Sequence, residues 1–297
     1  MIVLVGAAHL DRLGQTDAPA KAESSNPGSF RNTVGGAALN VASTLAALDC
    51  EVLLISCVGD DATGRDVRAE LAQRGVNTEI TTLPDQRTAT YTAIVNNDGD
   101  LVIGLADMEV YNHFPAHAAT RTIQKLEAED WLLIDANLPE DLIATLVDTA
   151  PCKIAAMTVS SAKAKRLSIV LDKIDLLFTN RTEVSALLGL PDTSSPHELV
   201  TGMNTQGVKA VVMTNGADDL HVLNGNTFDV IPISPVAASD VTGAGDALTA
   251  GCLYEVMAAK PLKQAVKTGI SAAKAVLQVS GPYLTEMKTI LANTKDQ

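Results

Sequence analysis

Positive charge is scarce in this sequence. No lysine- or arginine-rich run is present, and the formal net charge at pH 7 is −13 over 297 residues. Binding to nucleic acid needs clustered cations that neutralise phosphates, so an acidic chain of this kind is not expected to have a nucleic-acid partner. The sequence therefore directs attention to small-molecule ligands.

Membrane segments are missing from the sequence as well. No uninterrupted apolar run approaches the roughly 18 residues that a membrane span needs. The first residues, MIVLVGAAHLD, lack the basic segment of a secretory signal. We therefore expect a cytoplasmic protein with no membrane partner.

Three common chemical motifs are absent too. The four cysteines stand far apart without a C-x-x-C pair, and the five histidines show no ligand spacing. We expect the cysteines to be buried thiols in a reducing compartment and the histidines to have core or surface roles. A G-x-x-x-x-G-K-[ST] motif does not occur, and Gly6 is not followed by G-x-G-x-x-G spacing, which excludes P-loop and Rossmann phosphate sites.

Short apolar runs alternate with helix-like stretches along most of the chain. The apolar runs cover residues 2–6, 51–59, 131–135, 153–157, 175–180 and 209–214, and the helix-like stretches cover 37–48, 61–74, 139–148, 181–188, 244–258 and 262–279. This alternation predicts an α/β fold with a parallel sheet covered by helices on both faces. No internal repeat or interdomain linker is visible, so we expect a single domain over residues 1–297.

Two segments interrupt the alternation. Residues 12–34 are polar and without helical periodicity, and residues 88–111 place β-branched residues on both sides of a turn sequence, Asn97-Asp98-Gly99-Asp100. Such a turn between strand-like runs predicts a hairpin. We predict a small β lid with segments at about 12–34 and 86–112. An exposed lid sheet offers edges and apolar surface, which makes a homodimer a candidate assembly.

The stretch TGAGD at residues 242–246 is the strongest candidate for a ligand site. Its glycines allow close approach of the backbone, and the helix that follows offers unpaired N–H groups to an anion. Asp246 is then either a cap of that helix or a general base beside the anion. A second glycine pair, Gly35 and Gly36, precedes the predicted helix at residues 37–48.

Both glycine motifs, in this order and at this separation, resemble the two signatures of the PfkB or ribokinase family of sugar and nucleoside kinases. The resemblance covers nearly the whole chain and includes an acid after the first strand, an N-x-x-E motif and a T-x-G motif, which are Asp11, Asn180 to Glu183, and Thr214 to Gly216. It implies a ribokinase-like three-layer sandwich with a mostly parallel central sheet and a small β lid. Two lid segments, residues 25–28 and 97–111, also resemble those of family members that phosphorylate pseudouridine.

The resemblance implies ATP-dependent phosphorylation of an alcohol in the presence of Mg²⁺. Asp246 would be the general base, and the N–H groups of Gly243, Ala244 and Gly245 would hold the transferred phosphoryl group. Glu183 would bind Mg²⁺ through water, and Asp240 is a candidate ligand for a monovalent cation such as K⁺. The implied nucleotide-binding residues are Asn180, Thr214, Gly216, Thr242, Gly243 and Gly245. The implied substrate-binding residues are Asp11, Asn26, Gly35, Gly36, Asn40, Asp107 and Met108.

The residues alone leave alternatives open. Asn180 and Glu183 have the spacing of a capping box, Asp11 suits an ordinary turn, and Asn26 lies in a common turn sequence. The expected activity is phosphorylation of the 5′-hydroxyl of pseudouridine. The alternatives are a kinase for another nucleoside, ribose or a related sugar, and a small-molecule-binding protein without catalysis.

The chain departs from the family pattern at two places. No arginine follows the D-x-N sequence at residues 135–137, and the T-x-G motif continues into Asp218 and Asp219 instead of a second glycine. The first departure puts one ligand contact in doubt, and the second predicts altered nucleotide affinity or donor preference.

Overall fold

The computed structural model describes residues 1–234, 236, 241–278 and 284–294. Its strands are β1 (Ile2–Val5), β2 (His9–Thr16), β3 (Gly28–Gly35), β4 (Val52–Gly59), β5 (Asn77–Leu83), β6 (Thr90–Val95), β7 (Leu101–Asp107), β8 (Trp131–Asp135), β9 (Lys153–Met157), β10 (Leu176–Asn180), β11 (Ala210–Asn215), β12 (Asp218–Asn224) and β13 (Thr227–Ile231). Its helices are α1 (Ala37–Ala47), α2 (Ala62–Gln73), α3 (His117–Ile123), α4 (Glu140–Thr149), α5 (Ser161–Ala164), α6 (Arg181–Leu188), α7 (Pro196–Thr205), α8 (Ala244–Met257), α9 (Leu262–Leu277) and α10 (Met287–Thr294), with 3₁₀ segments at Glu109–His113 and Lys165–Lys173.

The main sheet has the strand order β13-β12-β11-β10-β9-β8-β1-β4-β5. Neighbouring strands from β11 to β5 are parallel, and only the pairs of β12 with β11 and with β13 are antiparallel. The predicted parallel sheet is therefore confirmed. Because parallel strands end at the same edge, the residues that follow β1, β8, β9, β10 and β11 gather along one side of the sheet.

Helices cover both faces of this sheet. Alternate residues of β1 point in opposite directions, so that Val3 and Val5 enter one core while Ile2 and Leu4 enter the other. The first core is covered by α3, α4, α6 and α7, and the second by α1, α2, α8 and α9. The three layers that the sequence predicts are thus present, with no helix among the described residues long and apolar enough to cross a membrane.

A second, four-stranded sheet forms the lid, in the order β3-β2-β6-β7. The pairs β2–β3 and β6–β7 are antiparallel, and β2–β6 is parallel. The hairpin predicted around residues 97–100 is confirmed, since β6 and β7 pair across it. Strand β2 starts four residues after β1 ends, so His9 and Asp11 lie at the junction between the main sheet and the lid.

Several elements were not predicted. Strand β5 lies at the sheet edge and is mostly exposed, so its sequence NTEITTL carries no apolar run. Strands β12 and β13 are joined by a turn at Asn224-Gly225-Asn226, where Gly225 has φ 56°. Asn-Gly between strand-like runs is a hairpin signal, and the alternation of strands and helices did not use it.

Candidate active site

Asp246 lies in the first turn of α8, at the edge of the sheet where the parallel strands end. The residue before the helix, Gly243, has a φ of 80°, a left-handed conformation that favours glycine. Asp246 is not the helix cap, because the N-cap position is Gly243 and no side chain caps the helix. The Asp246 carboxylate instead accepts a hydrogen bond of 2.7 Å from the amide Nδ2 of Asn40 in α1. A contact between two helices therefore sets the position of this carboxylate.

The surroundings of Asp246 favour its protonated form. Burial raises the pKa of Asp246 to about 7, and the nearby carboxylates of Asp135, Asp11 and Glu183 raise it as well, whereas the hydrogen bond from Asn40 lowers it. Part of the side chain remains accessible to solvent, so a ligand can reach the carboxylate. A carboxylate with a pKa near neutrality is suited to accept a proton from an alcohol as a bond forms.

The predicted anion site consists of the backbone around the α8 N-terminus. Gly245 is exposed, and a side chain placed there would meet no atom within 4 Å. The N–H of Ala244 donates to the carbonyl of Val241 at 3.3 Å, so this group is already engaged. Thr242 is exposed just before the turn, whereas Asp240 lies outside the described residues.

Asn180 and Glu183 form a capping box at the start of α6. The Asn180 Oδ1 accepts from the Glu183 N–H at 2.9 Å, and the Glu183 Oε2 accepts from the Asn180 N–H at 3.1 Å. Both hydrogen bonds of the predicted capping box are therefore present. Oε2 also accepts from the Thr158 hydroxyl, while Oε1 makes no hydrogen bond to any described residue. The cap thus leaves one carboxylate oxygen available to a ligand.

A cavity of about 140 Å³ joins these groups to Asp246. Five predicted site residues line it, namely Asn180, Glu183, Thr214, Gly245 and Asp246. These residues come from three regions of the sequence. Asn180 and Thr214 meet because β10 and β11 are adjacent and parallel, which places the two residues side by side. Beyond Thr214 the chain turns at Gly216, which has φ 64°. We call this group of residues the donor side of the site.

A larger cavity of about 480 Å³ lies beside the β11–β12 turn, lined in part by Asn215, Asp218, Asp219 and His221. The two acids that follow the T-x-G motif accept hydrogen bonds from nearby residues. Asp218 accepts from the side-chain amide of Asn215, and Asp219 accepts from the backbone N–H of Ile233, each at 3.3 Å. Burial lowers the pKa of His221, which favours the neutral ring. The two acids therefore shape the rim next to the donor side.

The opposite end of the site, the acceptor side, is formed by β2 and the start of α1. The Asp11 Oδ1 lies 3.1 Å from the His9 Nε2, and His9 is buried, so this histidine has a role that its sequence position did not predict. Gly36 precedes α1 with φ 122°, and a Cβ there would lie 2.3 Å from the carbonyl oxygen of Ala7. Gly35 is the last residue of β3 and Gly36 precedes α1. Asn40 lies one turn further along α1.

The predicted lid residues separate into two groups. Asp107 ends β7 and pairs in register with Thr90, which in turn pairs with Leu10, so it lies at the lid base with Asp11. Met108 follows and packs against the core. Asn26 lies in the β2–β3 connection at the far end of the lid, where its amide bonds only to the backbone of Lys21 and Ser24. The structure therefore does not bring Asn26 to the other residues of the acceptor side.

The model of the pfkB family of carbohydrate kinases matches residues 1–289. The chain belongs to this family. It is 27% identical over 256 residues to pseudouridine kinase of Escherichia coli (strain K12), a match that covers 84% of this chain and 82% of that protein.

Solved structures agree with the family assignment. A carbohydrate kinase from Agrobacterium tumefaciens is 34% identical and superposes with a TM-score of 0.83 over 98% of this chain and 96% of that one. Ribokinase from Arabidopsis thaliana, solved with ribose and ATP, is 21% identical and has a TM-score of 0.81 over 98% of each chain. The ribokinase-like fold is thus confirmed for this pfkB-family kinase.

Sequence analysis of this pfkB-family chain missed a buried acid. Asp135 at the end of β8 is fully buried, and its Oδ2 accepts from the N–H groups of Ala7 and Ala38 at 2.9 and 3.1 Å. Its Oδ1 accepts from the Asn137 N–H at 2.9 Å. Asp135 thereby ties together the ends of β1 and β8 and the start of α1. An acid directly after a buried apolar strand was the available signal.

An arginine from another part of the chain contacts the D-x-N segment, at the backbone. Arg166 Nη1, in the second 3₁₀ segment, donates to the carbonyl of Asn137 at 2.7 Å and to those of Ala136 and Leu138 at 3.3 Å. The guanidinium therefore fixes the backbone of this loop.

Proposed function

We propose that this pfkB-family kinase transfers the terminal phosphoryl group of ATP to the 5′-hydroxyl of pseudouridine and so forms pseudouridine 5′-phosphate. The supporting observation is the environment of Asp246, a carboxyl group with a pKa of about 7 in the wall of a cavity that also contains Asn180, Glu183 and Thr214. Asn40 fixes one oxygen of this carboxylate.

The proposed reaction needs one proton acceptor and several anion-binding groups. As the bond forms between the 5′-oxygen and phosphorus, Asp246 takes the hydroxyl proton, and the bond from phosphorus to the ADP oxygen breaks. Backbone N–H groups at the N-terminus of α8, those of Gly243 and Gly245, stabilise negative charge on the phosphoryl oxygens. Asn180, at the start of α6, and Thr214, in β11, position the nucleotide on the donor side.

Mg²⁺ fits the residues on the donor side. The Glu183 side chain is buried, yet its Oε1 has no hydrogen-bond donor among the described residues. A carboxylate oxygen of this kind suits a magnesium-bound water, and the ion when bound would neutralise charge on the nucleotide phosphates. Thr158 and the Asn180 backbone hold the other oxygen and so orient the carboxylate.

The choice of pseudouridine rests on the likeness to the Escherichia coli enzyme and on the lid. Pseudouridine carries an N1–H donor at the ring edge where uridine has only C5–H. Among the two lid acceptors suggested by the sequence, the Asn26 carbonyl oxygen already accepts from Lys21, whereas the Asp107 carboxylate makes no hydrogen bond to a described residue. Asp107 is therefore the proposed acceptor, with Met108 beside the ring.

A competition assay tests the substrate. Pseudouridine, uridine and ribose are supplied at equal concentration with limiting ATP, and the products are identified by chromatography and mass. Pseudouridine 5′-phosphate should dominate, and Asp107→Ala should reduce that preference, while Asp98→Ala at the hairpin tip should not. Dominance of ribose 5-phosphate or uridine monophosphate would assign the chain to another acceptor. Ligand binding without ADP formation would favour a binding protein.

We also propose that the lid supports a homodimer. Phe30, Leu101, Ile103 and Leu105 are large apolar side chains on the two edge strands of the lid sheet, and each is more than half exposed. Apolar surface of this kind is usually covered by a partner. Sedimentation should show a dimer, and the double variant Ile103→Lys, Leu105→Lys should sediment as a monomer. A parent chain that is monomeric at assay concentrations would refute this assembly.

A further inference from the structure

Lys163 is a partly buried cation without an anionic partner. It lies in α5, just after β9, and its Nζ donates to the Asn137 Oδ1 at 2.5 Å. No carboxylate of the described residues lies within ion-pair distance of it. An ammonium group has three N–H donors, so two remain for a ligand or water.

The side-chain amide of Asn137 also has an unused hydrogen-bond donor. The residue is 2% exposed, and its Nδ2 is buried without a hydrogen-bond partner in the described part of the chain. The ammonium group on Oδ1 fixes which way the amide faces, so Nδ2 presents a donor. Buried donors are nearly always paired in folded proteins, and a missing acceptor therefore points to a ligand or an ordered water.

The order of the strands places this pair between the two sides of the site. The donor side is at the ends of β10 and β11, and the acceptor side is at the end of β1. Strands β9 and β8 lie between them, at a spacing of about 4.8 Å per strand. Lys163 and Asn137 follow β9 and β8, so they lie at the strand ends between the two sides, which the phosphoryl group would cross in the proposed reaction.

The charge balance of the site calls for a cation at this place. Asp11, Asp135 and Glu183 are close enough to raise the pKa of Asp246, and ATP adds further negative charge. Arg166, in the second 3₁₀ segment, directs its Nη1 to three backbone carbonyls of the loop after β8. Burial also lowers the pKa of Lys163, and Arg166 lowers it as well, whereas the carboxylate of Asp135 raises it.

We propose that Lys163, positioned by Asn137, binds an oxygen of the nucleotide phosphates during phosphoryl transfer. This inference rests on the proposed kinase function and adds a phosphate-binding residue to it. The Asn137 amide orients the ammonium group, and its own Nδ2 donates to the same anionic group or to a water that bridges to it. A phosphate oxygen would give Lys163 the anionic partner that the described residues do not supply.

Substitution of Lys163 tests the inference through nucleotide binding. Lys163→Met keeps the length of the side chain and removes its charge, Lys163→Arg keeps the charge, and Lys165→Met is the matched control on an exposed neighbour. Calorimetry without acceptor should show ATP binding weakened roughly 10- to 100-fold in Lys163→Met. In the assay kcat should fall by roughly 10²-fold, with acceptor KM changed by less than about threefold. Lys163→Arg should recover part of both losses, and Lys165→Met should match the parent.

Amine labelling provides a second readout that does not depend on the variants. The parent protein is treated with acetic anhydride, and modification of each lysine is measured by mass spectrometry with and without ATP. ATP should protect Lys163 and leave Lys165 unprotected, and AMP, which lacks the β- and γ-phosphates, should protect Lys163 much less.

The outcomes separate this inference from the proposed function. A parent that binds ATP and phosphorylates an acceptor, with Lys163→Met equal to it in both, overturns only the role of Lys163. A change confined to acceptor KM also overturns it, because the ammonium group would then contact the acceptor. A parent that binds no ATP overturns both proposals.

Discussion

The donor side and the acceptor side of the site differ in how their buried polar groups are satisfied. On the donor side, Thr158, Asn180 and Glu183 bond to one another, and Glu183 Oε2 receives two of these bonds. On the acceptor side, the His9 Nδ1 and the Asn40 Oδ1 are buried without a hydrogen-bond partner among the described residues. On the donor side one oxygen of Glu183 is thus held within the protein and Oε1 is left for a ligand, whereas on the acceptor side two buried atoms have no partner among the described residues.

This difference indicates how each side recognises its ligand. A paired network is rigid and presents a fixed set of groups, as suits a common ligand such as a nucleoside triphosphate. Buried groups without partners are costly unless a ligand or water completes them. The acceptor side should therefore gain more order on binding, and its substrate should be selected by polar groups that satisfy these atoms.

The largest expected effect comes from the residue that joins the two sides. Asp246→Asn keeps the shape and removes the proton acceptor, so kcat should fall by roughly 10²–10⁴-fold. Binding of ATP and of the acceptor, measured by calorimetry, should stay within a few-fold. Asp11→Asn is the contrasting variant, since it should mainly raise acceptor KM. An Asp246→Asn enzyme with near-parental kcat would remove Asp246 from the mechanism.

Thr158→Val tests the paired network of the donor side. The change is close to isosteric and removes the hydroxyl that donates to the buried Glu183 carboxylate. Chemical denaturation should show a loss of about 1–3 kcal/mol in the free energy of unfolding. Thr145→Val, on an exposed helix surface, is the control. Equal stability of the two variants would mean that the donor side is not held by this network.

The raised pKa of Asp246 predicts a gain in stability for Asp246→Asn. Its pKa of about 7 in the folded state exceeds the ordinary value of 3.8, so the cost that this carboxyl group imposes on folding grows as pH rises from about 4 to about 7 and is constant above that. Asparagine resembles the protonated form, and at pH 8 the variant should be more stable by up to about 4 kcal/mol. The gain should shrink as pH falls and vanish near pH 4. A gain independent of pH would contradict this origin.

The smallest expected effect concerns the hydrogen bond from Asn40 to Asp246. The proposed mechanism needs ionised Asp246, so activity should rise with pH to a plateau above about 7. Asn40→Ala removes a hydrogen bond that favours the ionised form, and the midpoint should move up by about half to one pH unit. The measurement is the pH profile of kcat/KM for parent and variant. A downward shift would show that Asn40 does not stabilise the carboxylate.

The sequence alone determined the α/β class, the order of most elements and the two glycine motifs. It could do so because buried parallel strands are continuous apolar runs, and because caps and turns depend on neighbours within a few residues. The hairpin at residues 97–100 and the capping box at Asn180 and Glu183 belong to this local kind of information. The roles proposed for the individual site residues remain predictions.

Tertiary structure decided the chemical state of the site. Asn40 and Asp246 are 206 positions apart, and they meet only because α1 and α8 pack on the same face of the sheet. The contact of Lys163 with Asn137 likewise depends on β8 and β9 being neighbours. A pKa depends on burial and on the distances to other charges, which a linear sequence does not contain. Thus the residue types could be chosen from the sequence, but their pairing and protonation required the fold.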